Sequence, residues 1–306
     1  MGDLKLFRID DGTAVELLGT AAALEKPLQI LIDRNMEALF GVRLVASEHS
    51  TGKKHGGRID SLGLDENGSP VIFEYKRSVN ESVINQGLFY LDWLMDHRAD
   101  FELLVMKKLG AAVAEQIEWM APRLVCVASD FTRYDEHAIA QINRSIELVR
   151  YRDYGGAFLT LDLIASTSAV ATAAGAADVP KPVAVASSNK TVTQLHQQSP
   201  QELRDLYDAL EAYLLALGDD VTKTVRQFYY AFRRIKNFAC VEIHPQSKNL
   251  LVYIKADPTG VTLERGFSRD VTKIGHYGTG NLELTLRSRT HLDRAQPLLA
   301  ASYQAS

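Results

Sequence analysis

RIDSLGLDENGSPVIFEYK, residues 58–76, reads as two strands joined by a tight turn. Residues 58–64 and 71–76 carry strand-forming side chains on either side of Asp65-Glu66-Asn67-Gly68, a turn-forming group. Side chains alternate along a strand, so Ile72, Glu74 and Lys76 share one face, and Val71, Phe73 and Tyr75 the other. The turn decides where Asp60 goes. A two-residue Asn67-Gly68 loop sets Asp60 opposite Tyr75, on the wrong face. A three-residue loop of Glu66, Asn67 and Gly68, with Gly68 left-handed, sets Asp60 directly across from Glu74. We expect the three-residue loop, or a bulge of equal effect.

Directly opposed residues have Cβ atoms ~5 Å apart, and like charges there repel unless something neutralises them. Two carboxylates so placed suit a hard divalent cation, Mg²⁺ or Mn²⁺, which prefers oxygen ligands. Lys76, two residues on from Glu74, can then position an attacking water or stabilise charge developing on a phosphate. On the spacing alone, a solvated hairpin with Glu74 and Lys76 as surface groups is the favoured reading, because such spacings arise often by chance.

The surroundings extend the pattern. LEKPLQILIDRNMEALFG (24–41) spaces Leu24, Leu28, Leu31, Ile32, Met36 and Leu39 at three and four, which predicts an amphipathic helix ending near Gly41. A second helix is expected over about 81–97, with Ser82, Gln86 and Tyr90 forming a polar strip. Further strands are expected at 101–106, 123–128 and 157–164, with a helix around 134–145. That order gives an α/β unit, a mixed sheet flanked by helices.

Over about residues 20–165 the chain resembles the PD-(D/E)XK nuclease superfamily, and within it DNA endonucleases of the NucS type. The stretches that carry the resemblance are GRIDSLGLDENGSPVIFEYKR and VNESVINQGLFYLDWL. The resemblance implies a metal-dependent hydrolase that cuts DNA, with Asp60 and Glu74 as metal ligands and Lys76 as the catalytic lysine. It also implies a Gln-x3-Tyr pair on the following helix, matched by Gln86 and Tyr90, and an acidic residue on the first helix. Glu25 matches that acid better by distance, with Glu37 as the alternative. The helix dipole favours an acid in a first turn regardless of function. In one respect the chain departs from the resemblance. NucS-type enzymes carry a DNA-binding domain before the nuclease, and only about twenty residues precede the first helix here, so their substrate preference is not carried over.

Thr51 to Arg58 (TGKKHGGR) reads as a flexible basic loop beside the site, where Lys53, Lys54 and Arg58 suit a backbone phosphate. A net charge of −4 confines any nucleic-acid contact to such a local patch. With 46% hydrophobic and 24% charged residues the composition is that of a soluble globular protein. No apolar run approaches the ~20 residues of a membrane span, so we expect a cytoplasmic, unprocessed chain with no membrane partner. Cys126 and Cys240 each sit inside an apolar run and read as buried side chains. A homodimer suits an enzyme that cuts two strands.

Residues 166–194, rich in Ala, Ser and Pro, read as a linker between a nuclease-like unit (1–165) and a smaller α+β unit (195–306). In the second unit we expect a helix at 201–217, strands near 238–243, 250–255 and 282–287, and a last helix through Leu298–Tyr303. Lys223 to Lys236 interleaves five basic residues with four aromatics, either a base-stacking surface or core aromatics with an outward charged face. The Gly275–Gly280 loop is a weak phosphate-binding signal. Through KNFACVEIHPQSKNLLVYIK and GHYGTGNLELTL this half resembles an uncharacterised family sometimes labelled predicted transport proteins, and we read it as a substrate- or partner-recognition module. The rival to an endonuclease is a nuclease-fold protein that binds nucleic acid or a protein partner without cutting. Limited proteolysis is expected to cut first between Ser166 and Lys190 and to release two folded pieces; resistance there, with cutting elsewhere, would contradict the proposed boundary.

Overall fold

The carbonyl of Asp65 accepts the Gly68 N–H at 3.0 Å, and the Asp65 N–H donates to the Ser69 carbonyl at 2.9 Å. Glu66, Asn67 and Gly68 therefore make a three-residue turn, with Gly68 at φ +77°, where a side chain is disfavoured. The strands that follow pair Ser61 with Phe73, Leu62 with Ile72, Gly63 with Val71 and Leu64 with Pro70. This register brings Asp60 into line with Glu74.

A computed structural model describes residues 4–21, 25–76, 83–168 and 190–306. The chain divides into two compact units, Met1–Ala169 and Val170–Ser306. The first runs β1 (Leu6–Asp10), β2 (Thr13–Leu17), α1 (Glu25–Phe40), β3 (Val42–Ser50), α2 (Gly52–His55), β4 (Arg58–Asp65), β5 (Pro70–Lys76) and α3 (Val83–Asp96). It continues with α4 (Arg98–Leu109), α5 (Ala111–Ala114), β6 (Arg123–Ala128), α6 (Arg133–Ala140), β7 (Ser145–Tyr154) and β8 (Phe158–Thr167). Strands β3 to β8 form one sheet in sequence order. Strands β5, β6 and β7 run parallel, and the other pairings are antiparallel.

Helix α1 covers one face, where Phe40 meets Phe73 edge-on with ring centroids 5.0 Å apart. On the other face Leu91 and Leu94 of α3 and Phe101 of α4 share a core with Ile72, Leu124 and Cys126. Both faces of β5 are thus covered, and each of its residues except Lys76 is buried. Burial on this scale, at about 25 cal/mol per Å² of apolar surface, is what holds the central strands. Arg123 ties the turn to the sheet: Nη1 reaches Asp65 at 3.0 Å and Nη2 reaches Glu147 at 2.8 Å, with all three side chains buried.

Residues 101–106 lie in helix α4 rather than in a strand. FELLVM is a short apolar run that fits either period, and Phe101 and Val105, one helical turn apart, are the pair that is buried. The helix expected to 145 stops at Ala140, and Ser145 begins β7. Strands β3 and β7 had no counterpart in the sequence reading.

The second unit contains α7 (Val192–Gln197), α8 (Gln201–Leu215), β9 (Thr222–Val225), β10 (Tyr230–Arg233), β11 (Asn237–His244), β12 (Asn249–Ile254), β13 (Ser268–Asp270), β14 (Leu282–Leu286) and α9 (Arg289–Gln304). Its antiparallel sheet has the order β13-β14-β12-β11-β10-β9, and residues of α7, α8 and α9 pack on one face of it. The aromatics of 223–236 resolve as core: Tyr230 and Phe232 are buried against the helices and Tyr229 on the opposite face. Lys223 is paired with Glu211 and Arg234 with Asp220. The Gly275–Gly280 segment is part of the irregular connection between β13 and β14.

Of the expected linker, residues 169–189 lie outside the described residues. Its two ends are structured, since Ser166 and Thr167 pair with β7 and Val192–Gln194 opens α7. A Cβ on Gly68 would lie 2.8 Å from the Gln116 carbonyl oxygen. Gly68→Ala is therefore expected to cost about 1–3 kcal/mol, read as a lower urea midpoint; an unchanged midpoint would mean the turn does not need its left-handed residue.

Candidate active site

Asp60 and Glu74 occupy neighbouring strands where the β4–β5 ladder gives way to side chains. The Tyr75 N–H donates to Asp60 Oδ2 at 3.1 Å, and the Asp60 N–H donates to Glu74 Oε1 at 3.4 Å. Each carboxylate thus takes a main-chain donor from the other's strand, which locks the two together. Glu74 is fully buried, and its Oε2 has no hydrogen-bond partner among the described residues. Burial, with the Asp60 charge added, pushes the Glu74 carboxyl up to about 9. Burial also raises Asp60, partly offset by the Tyr75 N–H and the Lys76 cation. A buried carboxyl with an unsatisfied oxygen beside a second carboxylate is a donor set short of a positive partner. Hard oxygen donors of this kind fit Mg²⁺, which is held by one or two carboxylates together with waters and substrate phosphates. Among the described residues no third His, Cys, Asp or Glu completes a ligand group.

Lys76 ends β5 half-buried, and its cation favours the charged forms of both Asp60 and Glu74. Glu25, in the first turn of α1, adds negative charge at Asp60, whereas Glu37 is exposed farther along the helix. Gln29, on the same helix, donates Nε2 to the Asp60 carbonyl at 2.6 Å. Gln86 and Tyr90 meet each other, with Gln86 Nε2 3.3 Å from the Tyr90 hydroxyl. That hydroxyl also accepts the Arg58 N–H at 3.1 Å, so the pair braces the start of β4. Ser82 lies outside the described residues.

The segment before Arg58 is pinned, contrary to the flexible loop expected. Buried Thr51 bonds Gly57 through its N–H and its hydroxyl, enclosing the single turn α2. Lys53 and Lys54 are exposed on that turn. Gly57 is required by space, because a Cβ there would lie 2.6 Å from the Tyr90 ring. Cys126 is buried beside Glu74 and its thiol is raised by burial, which leaves it no nucleophilic role. The sequence reading missed Glu48, whose carboxylate meets Lys26 and Arg58 and whose charge raises Asp60. No local motif marks it, because its place depends on the pairing of β3 with β4.

Residues 192–306 match the family described as a domain of unknown function, DUF5655. Across 301 residues the chain is 27% identical to an uncharacterized protein of Haemophilus influenzae, covering 97% of this chain and 98% of that one. Among solved structures, a repair endonuclease from Pyrococcus abyssi is similar at 21% identity and a TM-score of 0.29, covering 45% of this chain and 50% of that one. An EndoMS–dsDNA complex is similar at 20% identity and a TM-score of 0.24, covering 47% and 49%. The chain therefore spans about half the length of the solved structures it matches. Among the described residues no helix is long and apolar enough to cross a membrane.

Glu74 gives the site a pH signature. Burial pushes its carboxyl from the ordinary value of 4.5 up to about 9, so between those values the folded protein holds a proton that the unfolded chain releases. The Glu74 contribution to stability therefore falls as pH rises through that window. In EDTA, Glu74→Gln should match the parent near pH 4 and exceed it by several kcal/mol near pH 9, since each unit of the gap is worth about 1.4 kcal/mol, read from thermal melts. Parallel melting curves across that range would contradict the placement of Glu74.

Proposed function

We propose that the first unit is a divalent-metal-dependent endonuclease that hydrolyses phosphodiester bonds, with DNA as its substrate. The observation that carries this reading is the Asp60–Glu74 pair, with the unpartnered Glu74 Oε2 at its centre and Lys76 beside it. Asp60 and Glu74 would hold Mg²⁺ or Mn²⁺. Bound there, the cation would supply Lewis-acid polarisation of a phosphoryl oxygen and neutralise charge as it develops.

The chain's own groups divide the remaining work. Lys76 donates from Nζ to the attacking water or to a phosphate oxygen, stabilising charge that appears only in the transition state. Glu25 extends the acidic environment from α1. Gln86 and Tyr90 hold the main chain at Arg58 and so fix where β4 enters the site. Lys53, Lys54 and Arg58 offer cations to the backbone of a nucleic acid without reading its sequence. DNA is favoured by the resemblance of the hairpin and following helix to NucS-type endonucleases. The second unit is a candidate recognition module for substrate or partner.

The test is a panel of labelled DNA and RNA, single-stranded, duplex and branched, incubated with Mg²⁺, Mn²⁺ or EDTA. Wild type should cut with a metal and not in EDTA. Asp60→Ala and Glu74→Ala should abolish cutting through loss of the metal. Lys76→Ala should leave metal binding intact and slow the chemical step by roughly a hundredfold, about 3 kcal/mol. Full activity in Glu74→Ala and Lys76→Ala would make this hairpin scaffold, and tight binding without cutting by wild type would favour the non-cleaving rival.

A further inference from the structure

Glu48 sits in β3 between Ser47, paired with Ser61, and His49, paired with Ile59, which sets it across from Asp60 on the side away from Glu74. Its φ is +54°, in the left-handed region that favours glycine. The other non-glycine residues with positive φ among those described, Asp11 and Lys248, lie in hairpin turns; Glu48 lies inside a strand. On backbone grounds alone glycine suits this position better than glutamate.

The carboxylate gives the reason for a side chain here. Its Oε1 meets Lys26 Nζ at 2.5 Å, and its Oε2 meets Arg58 Nε at 2.6 Å. It therefore joins the first turn of α1 and the start of β4 beside the Asp60–Glu74 pair. Arg58 is held at both ends, its N–H by the Tyr90 hydroxyl and its Nε by Glu48. The guanidinium is a rigid planar fork, so fixing Nε fixes the direction of Nη1 and Nη2. Neither terminal nitrogen bonds any described residue, and the Arg58 side chain is 66% exposed. Two parallel donors on an oriented fork match the spacing of two phosphate oxygens.

We propose that Glu48 is a positioning residue that aims Arg58 at a backbone phosphate of the nucleic acid, an inference that rests on the nuclease reading of the first unit. A carboxylate that merely masked Arg58 would have the opposite effect: its removal would free the guanidinium and tighten binding. The sign of the change separates the two roles.

The experiment uses the full chain with Lys76→Ala as parent, in Mg²⁺, and a labelled DNA that wild type cuts. Affinity is measured by fluorescence anisotropy over a series of salt concentrations. Glu48→Gln and Glu48→Gly should each weaken binding about tenfold and lower the slope of log affinity against log salt by roughly one, the loss of one phosphate contact. Arg58→Ala should do the same, and adding Glu48→Gln to it should cost little more, because the two act as one unit. Glu48→Gly, relieved of the backbone strain, should melt at or above the parent's temperature, which separates lost binding from lost folding. Unchanged affinity and slope in Glu48→Gln, or tighter binding in either variant, would overturn the proposal. Failure of wild type to bind or cut any nucleic acid would remove the nuclease reading and this inference with it.

Discussion

Asp65 is a buried carboxylate that accepts the Asn67 and Ser69 N–H groups, both at 2.8 Å, through one oxygen, and meets Arg123 through the other. Its main chain closes the turn as well, taking the Gly68 N–H and donating to Ser69. The three-residue turn therefore hangs on an ion pair inside the protein, and removing one partner of such a pair leaves an uncompensated buried charge. The turn in its turn sets the β4–β5 register. A slip of one residue would carry Asp60 to the face of Tyr75 and part it from Glu74.

That register was legible because the turn chemistry is local. Glycine at position 68 and an Asp-Glu-Asn run before it allow few loops, and only one of them opposes two carboxylates. The elements read poorly are those whose identity depends on distant partners. β3 and β7 are recruited by their neighbours in the sheet, and FELLVM became α4 because Phe101 and Val105 could both be buried. Glu48 was invisible for the same reason, since nothing near it in the chain announces that it will face Asp60. By distance along the chain Glu25 matched the first-helix acid better than Glu37, and Glu25 adds its negative charge at Asp60. The aromatics of 223–236 went to the core because alternation along β10 sends Tyr230 and Phe232 one way and Ala231 the other.

Two features of the site cost stability. Glu74 is buried with an unsatisfied oxygen, and Glu48 holds a left-handed backbone inside a strand. Strain and unpaired polar groups of this kind concentrate where structure serves chemistry. Both features lie within one residue of alignment with Asp60, on the two strands that flank it. Pro70 to Phe73, the first part of β5, are apolar and buried, and the charged side chains of that strand, Glu74 and Lys76, lie at the end beside Asp60.

The claim on which the functional reading stands is that Asp60 and Glu74 together hold a divalent cation. Calorimetric titration with Mn²⁺ near pH 7, repeated in buffers of different ionisation enthalpy, tests it directly. Because the Glu74 carboxyl is raised to about 9, it is protonated there before the cation arrives. Binding of one cation per chain, with release of about one proton and loss of both in Glu74→Gln, is the predicted result. No saturable binding, or binding that survives Glu74→Gln unchanged, would contradict it.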